Sequence, residues 1–508
     1  MVELDWIRNG VTRFSTKSDN LLAVKTGLAR YDVKCPQGSS ERYHRRFLTL
    51  PALFLTVSFL CTGCGGSTGG GSSSGGSSSG STGLSSYSSQ LWQIEVGGGS
   101  LPPLLSGQTN PPGNQLDGLA VDTSGDVLIC GSTLGAFPGY SNPSDTAHAV
   151  VAAFDGSGKT LWTTEFGTGA GDFLNRIAVD SAGNSYVGGV TLGAYSGFSN
   201  PSGLPEGVVA KLSSTGTVEW LQQLALGSQS TYVDAVAAAG GNLYVVGTSN
   251  DGTGISTQKM FVAEMDPSNG QTVWMRQYGP SDSVSSLTVD ANGDLIVAGV
   301  SSGAFPGNAN GNSTPFVGKF SGSSGAVIWM QQFSSLLAKG YAYVSTVAMS
   351  PDGSIVFGGA FSTQDSFAIG YGADPAAELL VGRLDDASGS VAGEQEIGNG
   401  GGAEVSSLTV NSAGNIYATG ITNGTFSNAF QASLQNTFVM KFSSALQAQW
   451  VEQFGTGGII NVAGVTAGPL IATSPDGNLI EGSVIQGSLT GPASPSDDVE
   501  MYLAKLGS

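Results

Sequence analysis

Beyond Cys64 the chain carries one histidine, His148, and one cysteine, Cys130. A Ser-His-Asp relay would depend wholly on His148, and no G-x-S-x-G elbow precedes it. No C-x-x-C-H run for haem and no His/Cys spacing for zinc is present. The sequence therefore implies no metal and no cofactor. Cys130 sits in an apolar run and reads as core rather than nucleophile. Asp122, Asp180 and Asp290 each open a D-x-x-G-[DN] turn. These turns lack the alternating oxygen ligands of a calcium loop, and Asp at that place is expected to accept backbone N–H bonds instead. Carboxylates are plentiful, so a pair placed for glycan cleavage stays open, because sequence spacing says nothing about separation in space.

Charge and composition narrow the partners. Of 508 residues, 78 are glycine and only 11% are charged. Nine of the nineteen basic residues and five of the thirty-eight acidic ones precede Cys64, which leaves ten and thirty-three, a net charge of −23. Such a field repels phosphate, so nucleic acid is excluded as a partner.

The first 90 residues read as an address. Arg42, Arg45 and Arg46 precede the apolar run FLTLPALFLTVSFL (47–60), which has the length of a signal-peptide h-region and is short for a membrane span. Cys61-Thr-Gly-Cys64 resembles a bacterial lipobox, with Cys64 as the lipidated residue and Cys61 where Leu is usual. Residues 1–63 are thus expected to be a signal region cleaved before Cys64, with a start placed upstream of the signal proper. Residues 64–90, almost wholly Gly, Ser and Thr, read as a flexible tether. The expected location is the cell envelope, as a lipoprotein of the outer membrane or cell surface, or the medium if the lipobox is unused. The lipid would be the only membrane attachment.

From residue 91 to 508 the chain repeats seven times. A turn glycine recurs at Gly125, Gly183, Gly241, Gly293, Gly353, Gly414 and Gly477. A tryptophan recurs late in the repeat at Trp162, Trp220, Trp274, Trp329 and Trp450, with Gly393 in its place in the fifth. Three residues further on stands Glu165, Gln223, Gln277, Gln332, Glu396 or Gln453. Each repeat reads as four short strands, which in the fourth are Ser285–Asp290, Asp294–Val300, Pro315–Phe320 and Ala326–Phe333. The seventh repeat lacks its fourth strand, and Leu91–Val96 at the other end has the missing pattern, with Trp92 and Glu95 three apart. The fold expected is all-β: a seven-bladed β-propeller of four-stranded blades, closed by the N-terminal strand completing the last blade.

The pattern K-[LF]-…-W followed by V-D-x-x-G-[ND]-x-Y-[VA]-x-G, as in VDSAGNSYVGG and VNSAGNIYATG, resembles the SBBP bacterial β-propeller repeat. The resemblance covers about 91–508. It implies an exported or surface-exposed bacterial protein and no single activity. A more distant similarity, carried by AFDGSGKTLW and EMDPSNGQTVW, is to quinoprotein-type propellers.

Two sets of residues are candidates for function. Lys211, Lys319, Arg383, Lys441 and Lys505 share one repeat position, which Ala153 and Glu264 fill in the other two repeats. They are either a cationic ring for an anion or, as favoured here, structural residues paired with carboxylates. The loops from second to third strand are long, gather on one face, and carry aromatics. Tyr140, Tyr195, Phe198, Tyr371, Phe426 and Phe430 are the candidates for ligand binding, while Phe137 and Phe305, in near-identical GAFPG, read as loop anchors. The expected function is a monomeric, non-catalytic binding or scaffold module for protein or polysaccharide at the envelope. Two alternatives stand beside it. One is a secreted polysaccharide hydrolase or lyase using carboxylates in the central funnel. The other is a quinoprotein-like lipoprotein scaffold in outer-membrane assembly.

Overall fold

The computed structural model describes residues 3–7, 11–15, 22–24, 90–96 and 114–507, the last stretch apart from 136, 138, 142–145, 228, 251–257, 280–281, 302–313, 334–340, 363–376, 427–435, 455–467 and 487–498. The cleavage site, Cys64 and the tether up to residue 89 lie outside these residues. Glu3–Ile7, Val11–Ser15 and Leu22–Val24 pair as a small antiparallel sheet of their own.

From Gln90 onward the chain forms seven four-stranded antiparallel sheets arranged in a ring, with no helix among the described residues. In blade 1 the strands are Asn114–Val121, Val127–Thr133, His148–Phe154 and Thr160–Phe166, running outward from the axis. Blade 4 consists of Asp282–Val289, Leu295–Ser301, Thr314–Phe320 and Val327–Gln332, so its first strand starts three residues before the point expected from the turn pattern. The last blade takes its fourth strand from the other end of the chain: Gln90–Val96 pairs with Val499–Leu506, Ile94 opposite Leu503 and Trp92 opposite Lys505.

Strand character follows from position in the stack. Second and third strands are apolar on both parities because each sheet is covered on both faces; VLICGST in blade 1 and SYVGGVT in blade 2 are buried throughout. The core accordingly divides into seven clusters, each shared by two neighbouring blades. Leu116, Val127 and Ile129 of blade 1 pack with Leu470, Ile480 and Leu503 of blade 7, and Tyr417, Val439 and Trp450 of blade 6 with Leu479 and Tyr502 of blade 7.

The first-to-second turns share a positive-φ glycine, and in blades 1, 2 and 4 an Asp cap. All seven landmark glycines have φ between 79° and 88°, a region that costs other L-residues about 1–2 kcal/mol. The preceding Asp closes the turn: Asp122 Oδ1 accepts the Ser124 and Asp126 amides at 2.8 and 2.9 Å, and Asp180 and Asp290 do the same one and three repeats on.

Four tryptophans tie their blade to the next, whereas Trp274 donates to Glu264 of its own blade. Trp92, Trp162, Trp220 and Trp329 donate Nε1–H to Gly156, Ser214, Pro267 and Asp386 carbonyls in the following blade's third-to-fourth hairpin, at 2.8–3.1 Å. The hairpin glycine lies flat on the indole. A Cβ on Gly158, Gly216, Gly270, Gly325 or Gly389 would come within 2.5–3.1 Å of the preceding blade's Trp ring. At the junction of blades 5 and 6 both partners change. Gly393, opposite Arg383, stands where Trp is expected, and the hairpin of blade 6 carries Leu446 where the others carry Gly. Leu446 is the one positive-φ non-glycine among the described residues (φ 62°), is 5% exposed, and reaches within 3.4 Å of where a Gly393 Cβ would stand. The bulk has moved from one side of the junction to the other, and burial of the leucine offsets its backbone strain. Leu446→Gly alone should cost about 1 kcal/mol and Gly393→Trp alone about 2 or more, while the double variant should return to the parental value. Chemical denaturation of the four proteins checks this; additive losses would mean that the two sites are independent.

Candidate binding face

The second-to-third loops leave the scaffold through a repeated clamp. In blades 1, 2 and 6 the second strand ends in Thr133, Thr191 or Thr422, whose Oγ1 accepts the amide of Gly135, Gly193 or Gly424 at 2.9–3.0 Å. Two residues on, the amide of Phe137, Tyr195 or Phe426 donates to Glu165 Oε2, Gln223 Oε1 or Gln453 Oε1, each at 3.1 Å. Gln223 and Gln453 also return an Nε2–H bond of 3.0 Å to the Gly193 and Gly424 carbonyls. This gives the Glu/Gln landmark its role. It stands on the fourth strand with its side chain directed at a loop two strands away, and holds the first turn of that loop.

The aromatic held by the clamp turns inward. Phe137 is 4% exposed. Phe426 packs edge-on to Phe438 with ring centroids 5.1 Å apart, and Tyr195 lies 6.2 Å from Phe166. The Tyr195 hydroxyl bonds Asp172; burial, then the charge of that carboxylate, push the phenol well above its usual range. Of the candidate ligand-binding aromatics, the structure thus places Tyr195 and Phe426 as half-buried anchors. Tyr140 and Phe198 stand out to solvent, 39% and 36% exposed, beside Leu192 at 39%. Tyr140 is fixed by a 3.0 Å bond from its hydroxyl to the Thr163 carbonyl. Tyr371, Phe430 and Phe305 lie outside the described residues.

His148 belongs to the same framework. Its Nδ1 is 2.9 Å from Glu165 Oε1, while the other Glu165 oxygen holds the Phe137 amide. Asp172, 1% exposed, accepts the Thr168 amide at 2.7 Å and so fixes the connection into blade 2. Glu165, Gln223 and Asp172 each bond backbone of these connections, so the loops that carry Tyr140 and Phe198 leave the scaffold from fixed bases.

At the axis a second polar set appears that the sequence reading did not single out. In six blades the first strand carries a β-bulge at one equivalent residue: Asp117, Asn175, Asp234, Ser285, Ser345 and Ser406. Asn175, Ser285, Ser345 and Ser406 each donate to the carbonyl preceding the next blade's bulge (Val233, Val344, Val405) or its counterpart in blade 7 (Pro469), at 2.5–2.8 Å. An ionised Asp cannot donate. Arg176 of blade 2 bonds the Asp117 carbonyl at 2.8 Å and lowers the Asp234 pKa by its charge. Asp234 bonds Thr248, yet its Oδ2 is covered and without a hydrogen-bond partner, and burial pushes the carboxyl up to about 7. Further round, Tyr343 donates to Glu404 Oε2 at 2.5 Å.

The repeated cations serve the opposite face. Lys211 pairs with Glu219 at 2.9 Å, Lys505 with Asp476 at 2.7 Å, and Arg383 with Asp352; Lys319 lies between Asp290 at 2.6 Å and Asp386 at 2.7 Å. Lys441 stands over the Tyr417 ring, 5.3 Å from its centroid. Cys130 is fully buried, and desolvation raises its thiol well above the usual range.

Residues 161–195 match the family model for the SBBP β-propeller repeat, spanning the outer strand of blade 1 to the clamped loop of blade 2. No curated protein matches the chain. Among solved structures, the polysaccharide lyase Uly1 aligns at 11% identity and TM-score 0.47, over 82% of this chain and 99% of that one. The WD40 β-propeller domain of Doa1 aligns at 14% and 0.42, over 77% and 93%. BamB from Moraxella catarrhalis aligns at 14% and 0.35, over 82% and 97%.

Proposed function

We propose that this seven-bladed propeller of SBBP-type repeats is an exported, envelope-tethered binding module that takes protein or polysaccharide on its loop-rich face. The observation that carries the reading is the pairing of exposed Tyr140, Leu192 and Phe198 with loop bases fixed by Glu165 and Gln223. Exposed aromatic and aliphatic side chains on immobilised loops lose little entropy when covered, which favours binding over mere solubility. The Cys64 lipobox and the 64–90 tract supply the tether in this reading, and the strongly acidic surface keeps the module off anionic polymers.

The test is retention of the full chain on immobilised envelope proteins and neutral or cationic polysaccharides, beside a Tyr140→Ala/Phe198→Ala variant. Both side chains are surface groups, so the variant should melt as the parent does and bind at least about tenfold more weakly. Retention indifferent to both changes would sink the loop-face reading. A second reading, a polysaccharide hydrolase or lyase working from the funnel, is favoured by one observation: the unpartnered Oδ2 of Asp234 within the field of Arg176. Depolymerisation of a retained polysaccharide, abolished by Asp234→Asn, would move the function there.

A further inference from the structure

The junction between blades 1 and 2 lacks the side chain that fills its counterparts. In blade 4, Lys319 Nζ sits 2.6 Å from Asp290 Oδ2, 3.9 Å from Asp294 Oδ2 and 2.7 Å from Asp386 Oδ2, the last contributed by the next blade. Blade 1 repeats the same turn, VDTSGD against VDANGD, so Asp122 and Asp126 stand where Asp290 and Asp294 stand. Ser214 takes the place of Asp386, each receiving the preceding blade's Trp Nε1 on its carbonyl. The lysine itself is replaced by Ala153, opposite Trp162 as Lys319 is opposite Trp329.

What remains is a cleft of about 210 Å³ lined by Asp122, Asp126, Leu128, Ala153, Trp162 and Ser214, among others. Its walls supply both halves of what a lysine needs. Leu128, Ala153 and the Trp162 ring form an apolar slot for the stem, and two carboxylates close the end. Asp122 spends Oδ1 on its turn amides, while its Oδ2 faces Gly183 across the cleft. Burial, then the neighbouring charges of Asp122 and Asp155, raise the Asp126 carboxyl, as expected of negative charge gathered without its cation.

We infer that the cleft between blades 1 and 2 is a receptor for an alkylammonium group from outside the chain, seated where Lys319 sits in blade 4. The ligand class is a primary amine on an unbranched aliphatic stem of about four carbons, borne either by a free amine or by a lysine of a partner protein. The site is on the hairpin face, and is independent of the loop-face reading.

Calorimetric titration of the full chain with 1-aminobutane tests it, with butan-1-ol as the uncharged isostere and calcium chloride as a bare cation. The amine should bind, and the alcohol at least about tenfold more weakly. Asp122→Asn keeps the turn, because Asn411 makes the same turn bonds in blade 6, and should weaken the amine about tenfold. Ala153→Lys should abolish amine binding and raise the melting temperature, the gain vanishing in the double variant with Asp122→Asn. Tighter binding of Nα-acetyl-lysine methylamide than of 1-aminobutane assigns the source to a protein; the reverse assigns it to a free amine. Equal binding of amine and alcohol overturns the inference, as do calcium binding without amine binding, or amine binding that survives both substitutions.

Discussion

Deleting residues 90–96 should destabilise the protein by about 4 kcal/mol and lower its melting temperature by roughly 5 °C or more. The segment completes a sheet whose other three strands lie some 400 positions later in the chain, and its loss is felt at two interfaces. Val96 is 6% exposed, and Ile94 and Trp92 pack onto the cluster shared by blades 7 and 1. Trp92 also supplies the bond to the Gly156 carbonyl that links the last blade to the first, and Lys505 reaches the same carbonyl at 3.4 Å. Without the strand, Val499–Leu506 becomes an open edge. Restoring QLWQIEV after Ser508 through a short Gly/Ser hairpin would give the seventh blade the ordinary third-to-fourth connection and should recover most of the loss. Calorimetry of the parent, deletion and transplanted chains decides the matter. An unchanged melting temperature on deletion would mean that the pairing contributes nothing to closure.

The second large effect is on pH. Glu481, on the second strand of blade 7, is 1% exposed; burial raises its carboxyl from 4.5 to about 8, with the Ser483 hydroxyl at 3.1 Å pulling the other way. Tyr502 shares this environment, its own phenol raised by burial and then by Glu481. Asp234 is raised from 3.8 to about 7 by burial. Both acids hold their protons more tightly folded than unfolded, so the native state carries the extra proton between the ordinary and the raised value. Stability therefore falls as pH rises, from about 4 to 7 on account of Asp234 and from about 4.5 to 8 on account of Glu481. Glu481→Gln should gain on the order of 2 kcal/mol at pH 9 and nothing at pH 4. Asp234→Asn should behave alike at pH 8, with an amide able to donate as Asn175 does. Urea melts across pH 4–9 check both. A parental profile flat above pH 6 would show that neither carboxyl is protonated in the native state.

These effects mark where sequence reading reaches and where it stops. Turn glycines and tryptophans were legible because each recurs at a fixed place in nearly every repeat, and the missing fourth strand because it breaks that pattern. The shared repeat position of the cations is visible in the sequence, but that Lys319 reaches across to Asp386 depends on how two sheets stack. Glu165, Gln223 and Gln453 were visible as a landmark without a task, because the loop each one holds is about 28 residues away in sequence. Gly393 stands out in the sequence as a missing Trp; its compensation at Leu446 shows only in three dimensions. The axial bulges carry Asp, Asn or Ser, with no common residue type for a pattern to catch.

The tryptophan and bulge ties between blades share one direction, with Arg176 of blade 2 reaching back to Asp117 as an exception. Tryptophan Nε1–H groups of blades 7, 1, 2 and 4, and bulge side chains of blades 2, 4, 5 and 6, donate forward to the next blade. The ring is thus a head-to-tail assembly written on one chain, the intramolecular counterpart of a heterologous oligomer. Such an interface carries no record of how many units precede it. Blade number is left to the angle at which sheets pack, and a duplicated or excised repeat would meet a neighbour already shaped to receive it. Each contact surface is shared by two blades alone, so one junction can drift, as those at Leu446 and Ala153 have, without asking anything of the other six.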